Sequence, residues 1–406
     1  MSDANGRTAS EEYTQILVAG GGPVGFVLAY ALAKRGISVR VLEAASHCLE
    51  DMRASTFHPP TLEMMAELGI IDELEAQGLR APIYQYCNRE TGAAYALDLG
   101  EIADLTRYPY RLQCEQFKLA RLLAARLEAM PNAHVEFSRR IIHFDQDAAG
   151  VSAIAEGPID VKHYRADYLV GADGANSLVR KLLGVEFDGF TYPESFLTLS
   201  TAYPIEQHLP WVADVNYVAD PPEWCVLLRV PTLWRVLVPQ SAETGDPDIL
   251  GDARKDAVFR QLLGPDAPTI TTEHRTVYRV HQRVAKTFRV GRVLLIGDSA
   301  HLNNPLGGYG MNSGIHDAWN LIDKLSKVLL EQADPDRQLD LFDRQRRTIT
   351  HDFVQTQTIA NKAGIGAGFA AREALLRDLQ GNAAARRDYL QTTSMLKSIT
   401  DEAVIV

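Results

Sequence analysis

Apolar residues along this chain fall into short runs broken by glycine and proline, and three of the runs end in the same way. Gln15 to Ala19 reads as a strand, Pro23 to Arg35 as a helix stopped by Gly36, and Ser38 to Leu42 as a second strand ending in Glu43. From Tyr168 an apolar run leads into Asp173-Gly174 and the start of another helix. Val293 to Ile296 is rich in β-branched residues and reads as a buried parallel strand. Gly297 gives it a sharp exit, so Asp298 sits at the strand's carboxyl end, where open α/β sheets bind ligands. Gly307, Gly308, Gly310 and Gly314 follow, then a helix with Met311, Ile315, Trp319, Ile322 and Leu325 on or near one face.

The pattern between these runs is different. A helix is expected from about Pro60 to Leu68, ended by Gly69, and alternating residues from Ala81 to Leu105 suggest strands of a second layer. Tyr110 to Leu127 reads as a long helix beginning near Gln113. Ala133 to Ile154 reads as short strands with a turn near Asp145 to Gly150. From Phe187 to about Val284 strand-like runs, including Glu223–Val230 and Leu233–Pro239, alternate with proline-rich turns, which predicts a separate antiparallel sheet. The tail from about Asp336 is helical and charged, without repeats.

Composition narrows the class. A chain of 406 residues with 46% hydrophobic and 23% charged residues is too long for one small core and has an ordinary globular balance. A net charge of −11 argues against nucleic acid, which needs a basic patch. Cys48, Cys87, Cys114 and Cys225 have no disulfide-like spacing, which suits reduced thiols in the cytoplasm. Ile16 to Ala33 carries no charge, but Gly20-Gly21-Gly22-Pro23 at its centre and the lack of a basic segment before it disfavour a membrane span or signal peptide. Residues 1 to 12 read as a polar, frayed tail.

Strand, loop, helix, strand and acid in that order give Gly20, Gly22 and Gly25 a dinucleotide-binding reading. Gly20 makes the tight turn, Gly22 admits a pyrophosphate to the backbone, and Gly25 lets helix and strand pack closely. Pro23 opens the helix, and Glu43, some twenty residues on, can accept hydrogen bonds from an adenosine ribose. Each corner also has a plainer reading: a structural turn, a helix cap at Asp173, or a glycine-rich cap before the last helix. His58, His281 and His301 are not spaced as metal ligands.

In combination the three corners resemble the FAD-dependent aromatic hydroxylases, the single-component flavoprotein monooxygenases of the para-hydroxybenzoate hydroxylase type. The motifs are Gly20–Gly25 with Glu43, Asp173-Gly174 with Arg180, and Gly297-Asp298 with His301, Pro305, Gly307-Gly308 and Gly310-Met311-Asn312. The resemblance covers about the first 330 residues and leaves no room for the thioredoxin-like tail of longer relatives. It implies an α/β fold: a Rossmann-like FAD-binding domain from residues 1–80, 105–185 and 286–334, a substrate-binding sheet domain from 81–104 and 186–285, and C-terminal helices over 335–406. It implies that non-covalent FAD meets Glu43 at the ribose, Asp298 at the ribityl chain, and Arg53 and Gln113 elsewhere. Amides at Gly310, Met311 and Asn312 would face flavin N1 and the C2 carbonyl, and the Asp173–Arg180 corner would meet both FAD and the reduced nicotinamide.

The same resemblance implies the chemistry: NAD(P)H as co-substrate, O₂, and hydroxylation of an aromatic or N-heteroaromatic ring through a flavin C4a-hydroperoxide. Pro305 and Tyr217 are the candidate catalytic residues, and Tyr217 and Arg229 the candidate substrate contacts, a phenol and a carboxylate partner respectively. Asn304 and Tyr309 depart from the proline and glutamine of many relatives, and Tyr309 is expected beside the flavin ring. An FAD oxidoreductase that inserts no oxygen, and a flavin-binding sensor without turnover, are the rival readings. A homodimer is kept open.

Overall fold

The uncharged run Ile16–Ala33 is a strand followed by a helix, both deep inside the protein. The computed structural model describes residues 11–50, 52, 54–219, 223–241 and 243–406. Helix Pro23–Lys34 is buried from Gly25 through Ala33, because it lies between the first sheet and the helices Gln116–Glu128 and Tyr309–Glu331. A helix covered on all sides has no polar face to show, which is how a soluble-type core element comes to imitate a membrane span. No helix among the described residues is long and apolar enough to cross a membrane.

The first sheet runs in the order Arg289–Val290, Val293–Leu295, Val161–Gly171, Glu11–Ala19, Val39–Leu42, Ala133–Glu136. From Val293–Leu295 onward every neighbour is parallel, while the hairpin Arg140–Asp147/Gly150–Glu156 adds antiparallel strands beside Val161–Gly171. The register of the central strands brings distant loops together. Ala19 pairs with Gly171, and Gly171 with Leu295. Three strands that lie far apart in sequence therefore end side by side at one level, so the loops leaving them must meet.

The second sheet has the order His301–Leu302, His274–Ala285, Phe187–Thr201, Leu233–Gln240, Cys225–Val230, Val215–Val218, Ile83–Asn88, Ala93–Asp98. It departs from the expected antiparallel pattern at one place, where Val215–Val218 runs parallel to Ile83–Asn88. One of its faces packs Trp234, Val236 and Val238 against Val258 and Phe259 of helix Asp252–Leu263, an element the strand-like pattern had concealed. Its other face carries Tyr217, Val226, Leu228, Arg235 and Leu237.

Two further corrections concern the connections. The long helix expected from Tyr110 begins only at Gln116 and ends at Glu128. Before it, Arg111–Gln113 forms a strand between Thr56–Phe57 and Leu79–Ala81. Three residues are too few for periodicity to separate strand from helix. The tail is not an appendage. After helix Pro335–Ile349 its helices return to the second sheet, where the Tyr84 hydroxyl meets Thr393 Oγ1 at 2.7 Å and Tyr95 donates to Glu373 at 3.1 Å.

Candidate active site

The three corners converge. The Gly20–Gly25 loop leaves Ala19 and rests on the second corner: a Cβ on Gly20 would lie 2.4 Å from the Ala172 carbonyl oxygen, and one on Gly25 would lie 2.1 Å from that of Gly20. Gly20 has φ +105°, a conformation side chains rarely tolerate. The third corner closes against the same loop, since Gly297 and Gly314 both pack on Val24. Gly22 is different. A Cβ there would meet nothing within 4 Å, so the backbone at Gly22 is open to a ligand.

Around this junction the predicted residues divide into those that face the cleft and those that build it. Gly22, Pro23, Asp298, Pro305, Gly307, Gly310, Met311 and Tyr217 line one cleft of about 390 Å³. Gly20 and Gly25 lie beneath it. Glu43 accepts from the Gly21 amide at 2.6 Å and from Ala45 at 2.7 Å, which holds its carboxylate at the glycine loop. Asp173 does not face the cleft: it accepts from the Ser177 hydroxyl at 2.5 Å and from the amides of Leu178 and Val179 at 2.7 and 3.1 Å. Its carboxylate caps the start of helix Leu178–Leu182. Arg180 links the second and third corners, donating to the Ala175 and Ser299 carbonyls at 2.9 and 2.8 Å. Arg53 lies outside the described residues.

Helix Tyr309–Glu331 starts from Gly308, whose φ is +74°. In its first turn the amides of Tyr309, Gly310 and Met311 have no partner within the helix, and they carry the positive end of its dipole. Asn312 is one residue too late for that role. Its side chain instead ties the helix to the strand Thr56–Phe57, donating to the Thr56 carbonyl at 2.8 Å and accepting from the His58 amide at 2.9 Å. Tyr309 also departs from expectation, for it packs with Ile349, Phe353 and Met395 toward the C-terminal helices and not into the cleft. Asn304 bonds the Thr358 carbonyl at 2.9 Å, a contact a proline would lack.

Behind this helix lies a buried charged chain. Asp317, wholly buried, accepts from the Gly297 amide at 2.9 Å and from Arg346 Nε at 2.7 Å, and His301 Nε2 lies 2.7 Å from it. Arg346 in turn pairs with Glu402. Burial alone would raise the Asp317 carboxyl, but His301 and Arg346 outweigh it and hold the group below the usual carboxylate range. This chain fixes the third corner to the tail.

A dinucleotide with an isoalloxazine ring fits these features. The loop has room at Gly22, the helix start offers free donors, and the buried Gln113 has Nε2 without a partner although Oε1 accepts from Thr56 at 3.0 Å. An orphaned buried donor of this kind calls for an acceptor from a ligand.

The far end of the cleft is walled by the second sheet. Tyr217 is stacked on Tyr86 with ring centres 4.9 Å apart. Arg229 is elsewhere: 42% exposed, it sits at 3.5 and 3.9 Å from Glu206 and Asp214 on the outer surface. Three arginines line the cleft, Arg111 and Arg235 buried and Arg279 exposed. Strand alternation explains the exchange. Leu228 faces the cleft and pairs across the sheet with Arg235, whereas Arg229 pairs with Trp234 on the opposite face. The residues of Leu233–Gln240 were legible as a strand, but the face each one takes was not.

The chain matches the family model described as an FAD binding domain over residues 13–357. It is 33% identical over 351 residues to para-nitrophenol 4-monooxygenase of Pseudomonas sp. (strain WBC-3), covering 85% of this chain and 86% of that protein. It is 33% identical over 336 residues to 6-hydroxy-3-succinoylpyridine 3-monooxygenase of Pseudomonas putida (strain DSM 28022 / S16), covering 82% and 84%. The crystal structure of p-nitrophenol 4-monooxygenase from Pseudomonas putida DLL-E4 superposes with a TM-score of 0.86 at 30% identity, covering 96% of this chain and 98% of that one.

Proposed function

The chain belongs to the FAD-dependent aromatic-ring monooxygenases, and from that membership we propose that its substrate is a single-ring phenol or hydroxypyridine attacked at the carbon para to its hydroxyl. The enzyme is a flavoprotein hydroxylase that uses NAD(P)H and O₂. Two relatives support the finer reading. Para-nitrophenol 4-monooxygenase and 6-hydroxy-3-succinoylpyridine 3-monooxygenase are both named for a ring carbon that bears a substituent and lies para to the hydroxyl.

FAD, when bound, takes the electrons of NAD(P)H and activates O₂. The chain's own residues bind and orient. We assign the pyrophosphate to the open backbone at Gly22 and the start of helix Pro23–Lys34, where free amides and the helix dipole favour an anion. Glu43 retains lone pairs for the ribose, and Asp298 is assigned to the ribityl chain. The Gly310 and Met311 amides are assigned to the flavin ring, whose negative charge in the reduced state they would stabilise. Pro305 and Leu306 line the cleft, and we assign them to shielding the reacting centre from water. Tyr217, at the far end, is assigned to the substrate hydroxyl. In this reading the first sheet and its helices serve FAD and the second sheet serves the substrate. A cytoplasmic location belongs to the same proposal, since NAD(P)H is supplied there and no disulfide joins Cys48, Cys87, Cys114 and Cys225.

The observation that carries the reading is the level pairing of Ala19, Gly171 and Leu295, which brings three loops to one cleft facing a tyrosine-lined sheet. The test is NAD(P)H oxidation and O₂ consumption by the FAD-loaded enzyme with para-substituted phenols and hydroxypyridines, with mass spectrometry of the product. Oxygen found at the para carbon supports it. Oxidation of NAD(P)H that no phenol stimulates, or product oxygenated only ortho to the hydroxyl, overturns it.

A further inference from the structure

Arg111 is a buried cation facing residues that supply no anion. Arg111 lines the cleft and lies two residues before the orphaned Gln113 donor, on the same face of the strand Arg111–Gln113. Arg111 is 2% exposed. Its Nη1 reaches the Tyr217 hydroxyl at a long 3.4 Å, its guanidinium lies 4.0 Å over the Tyr84 ring, and its Nε has no partner. Beyond Tyr84 and Tyr217, the titratable groups near enough to interact with its charge are Tyr86, Tyr309 and His58. Behind Tyr86 stands another cation, Arg372, 4.3 Å over that ring. No carboxylate among the described residues pairs with Arg111. Its charge is persistent, since a guanidinium does not give up its proton in proteins.

A buried charge facing only ring faces and neutral hydroxyls is unstable until an anion arrives. An apolar residue of similar size would serve a purely structural role better. We propose that Arg111 is the anion subsite of the cleft, where it receives an oxyanion carried by the aromatic substrate, with the Tyr217 hydroxyl as the second donor. The guanidinium fork offers two parallel N–H groups to such an oxyanion, a carboxylate or a phenolate oxygen. The site therefore selects rings that bring negative charge with them, and a neutral ring of the same size leaves the cation uncompensated. This subsite rests on the hydroxylase reading and deepens it.

Equilibrium binding to the FAD-loaded protein tests it, using 4-nitrophenol and its methyl ether 4-nitroanisole as probes. Wild type is expected to bind 4-nitrophenol with the yellow absorbance of the phenolate at a pH where the free compound is mostly neutral. Arg111→Met is expected to raise the dissociation constant about tenfold or more and to abolish that yellow shift, with Arg111→Lys in between. Loss of 4-nitrophenol binding alone assigns the oxyanion to the phenolate, whereas equal loss for the neutral 4-nitroanisole means that Arg111 recognises no anion and overturns the proposal. Arg111→Met without ligand is expected to melt no lower than wild type, which a structural arginine would not allow. Should Arg111→Met and Arg111→Lys both bind 4-nitrophenol within about twofold of wild type, the proposal is overturned. If Arg111→Met takes up no FAD, the Arg111→Lys result decides by the same criterion. Binding is read without turnover, so a failure here is distinct from absence of phenol-stimulated NAD(P)H oxidation in wild type.

Discussion

Two glycines of the same loop, Gly22 and Gly25, ought to fail in opposite ways when a methyl group is added. Gly25→Ala puts a Cβ 2.1 Å from the Gly20 carbonyl oxygen, and this overpacking costs about 1–3 kcal/mol of stability along with FAD. Gly22→Ala meets nothing within 4 Å, so its melting temperature without FAD should match wild type while its FAD affinity falls. Thermal melts and flavin titration of both variants check this, and equal FAD affinity in Gly22→Ala and wild type would refute the pyrophosphate assignment. A second pair separates the arginines of the second sheet. Arg229→Met removes a surface ion pair worth about 0–1 kcal/mol and should leave kcat/KM within about twofold. Arg235→Met removes a buried cation from the cleft, with its 2.8 Å bond to Ser55, and should lower kcat/KM at least about tenfold. At this scale glycines were the most legible residues, because backbone geometry restricts which positions accept them. Arg111 was hidden, since arginine is usually exposed and nothing in the neighbouring residues marks a buried one.

Among the elements, helix Tyr309–Glu331 does two jobs that depend on each other. Its first turn presents amides to the cleft, and its second and third turns carry Asn312, His316 and Asp317, which fasten it to its surroundings. The sequence pattern revealed the helix and its apolar stripe. It did not reveal that the polar residues between those positions are buried too, since a buried ion pair and a solvated one look alike in a sequence. Asp317→Asn leaves Glu402 as the one carboxylate on Arg346 among the described residues, and its single amide oxygen cannot serve Arg346, the Gly297 amide and His301 together. Breaking a buried pair from one side costs about 3–5 kcal/mol, so urea unfolding of FAD-loaded Asp317→Asn should show a loss of that order. A loss below about 1 kcal/mol would mean that the chain from His301 to Glu402 contributes little to holding the third corner.

For the whole molecule, the tail changes what acid does. The pattern announced charged helices from Asp336 without saying where they dock, because their partners, Tyr84, Tyr95, Glu101 and Asp104, lie between 278 and 309 residues earlier. By closing over the start of helix Tyr309–Glu331 they help to keep His58 and His316 out of water. Burial first, then the Arg111 charge, pushes His58 well below its ordinary value. Burial and Arg346 take His316 down to about 3, against a weaker upward pull from Asp317. In the unfolded chain both protonate near the ordinary histidine value of about 6.5. Between that value and the folded one the unfolded state holds more protons, so stability rises with pH and is lost as pH falls below about 6.5, by up to about 1.4 kcal/mol per pH unit for each histidine, the His316 share running down to about 3. Urea unfolding of the FAD-loaded enzyme at pH 7.5, 6.5 and 5.5 should show the decline setting in below 6.5. His316→Gln should remove its own share of the slope and keep that of His58, since glutamine can still donate to the Thr61 hydroxyl that His316 Nε2 contacts at 3.0 Å. A slope unchanged in His316→Gln would mean that water reaches this histidine in the folded protein, and that the tail does not seal the helix start.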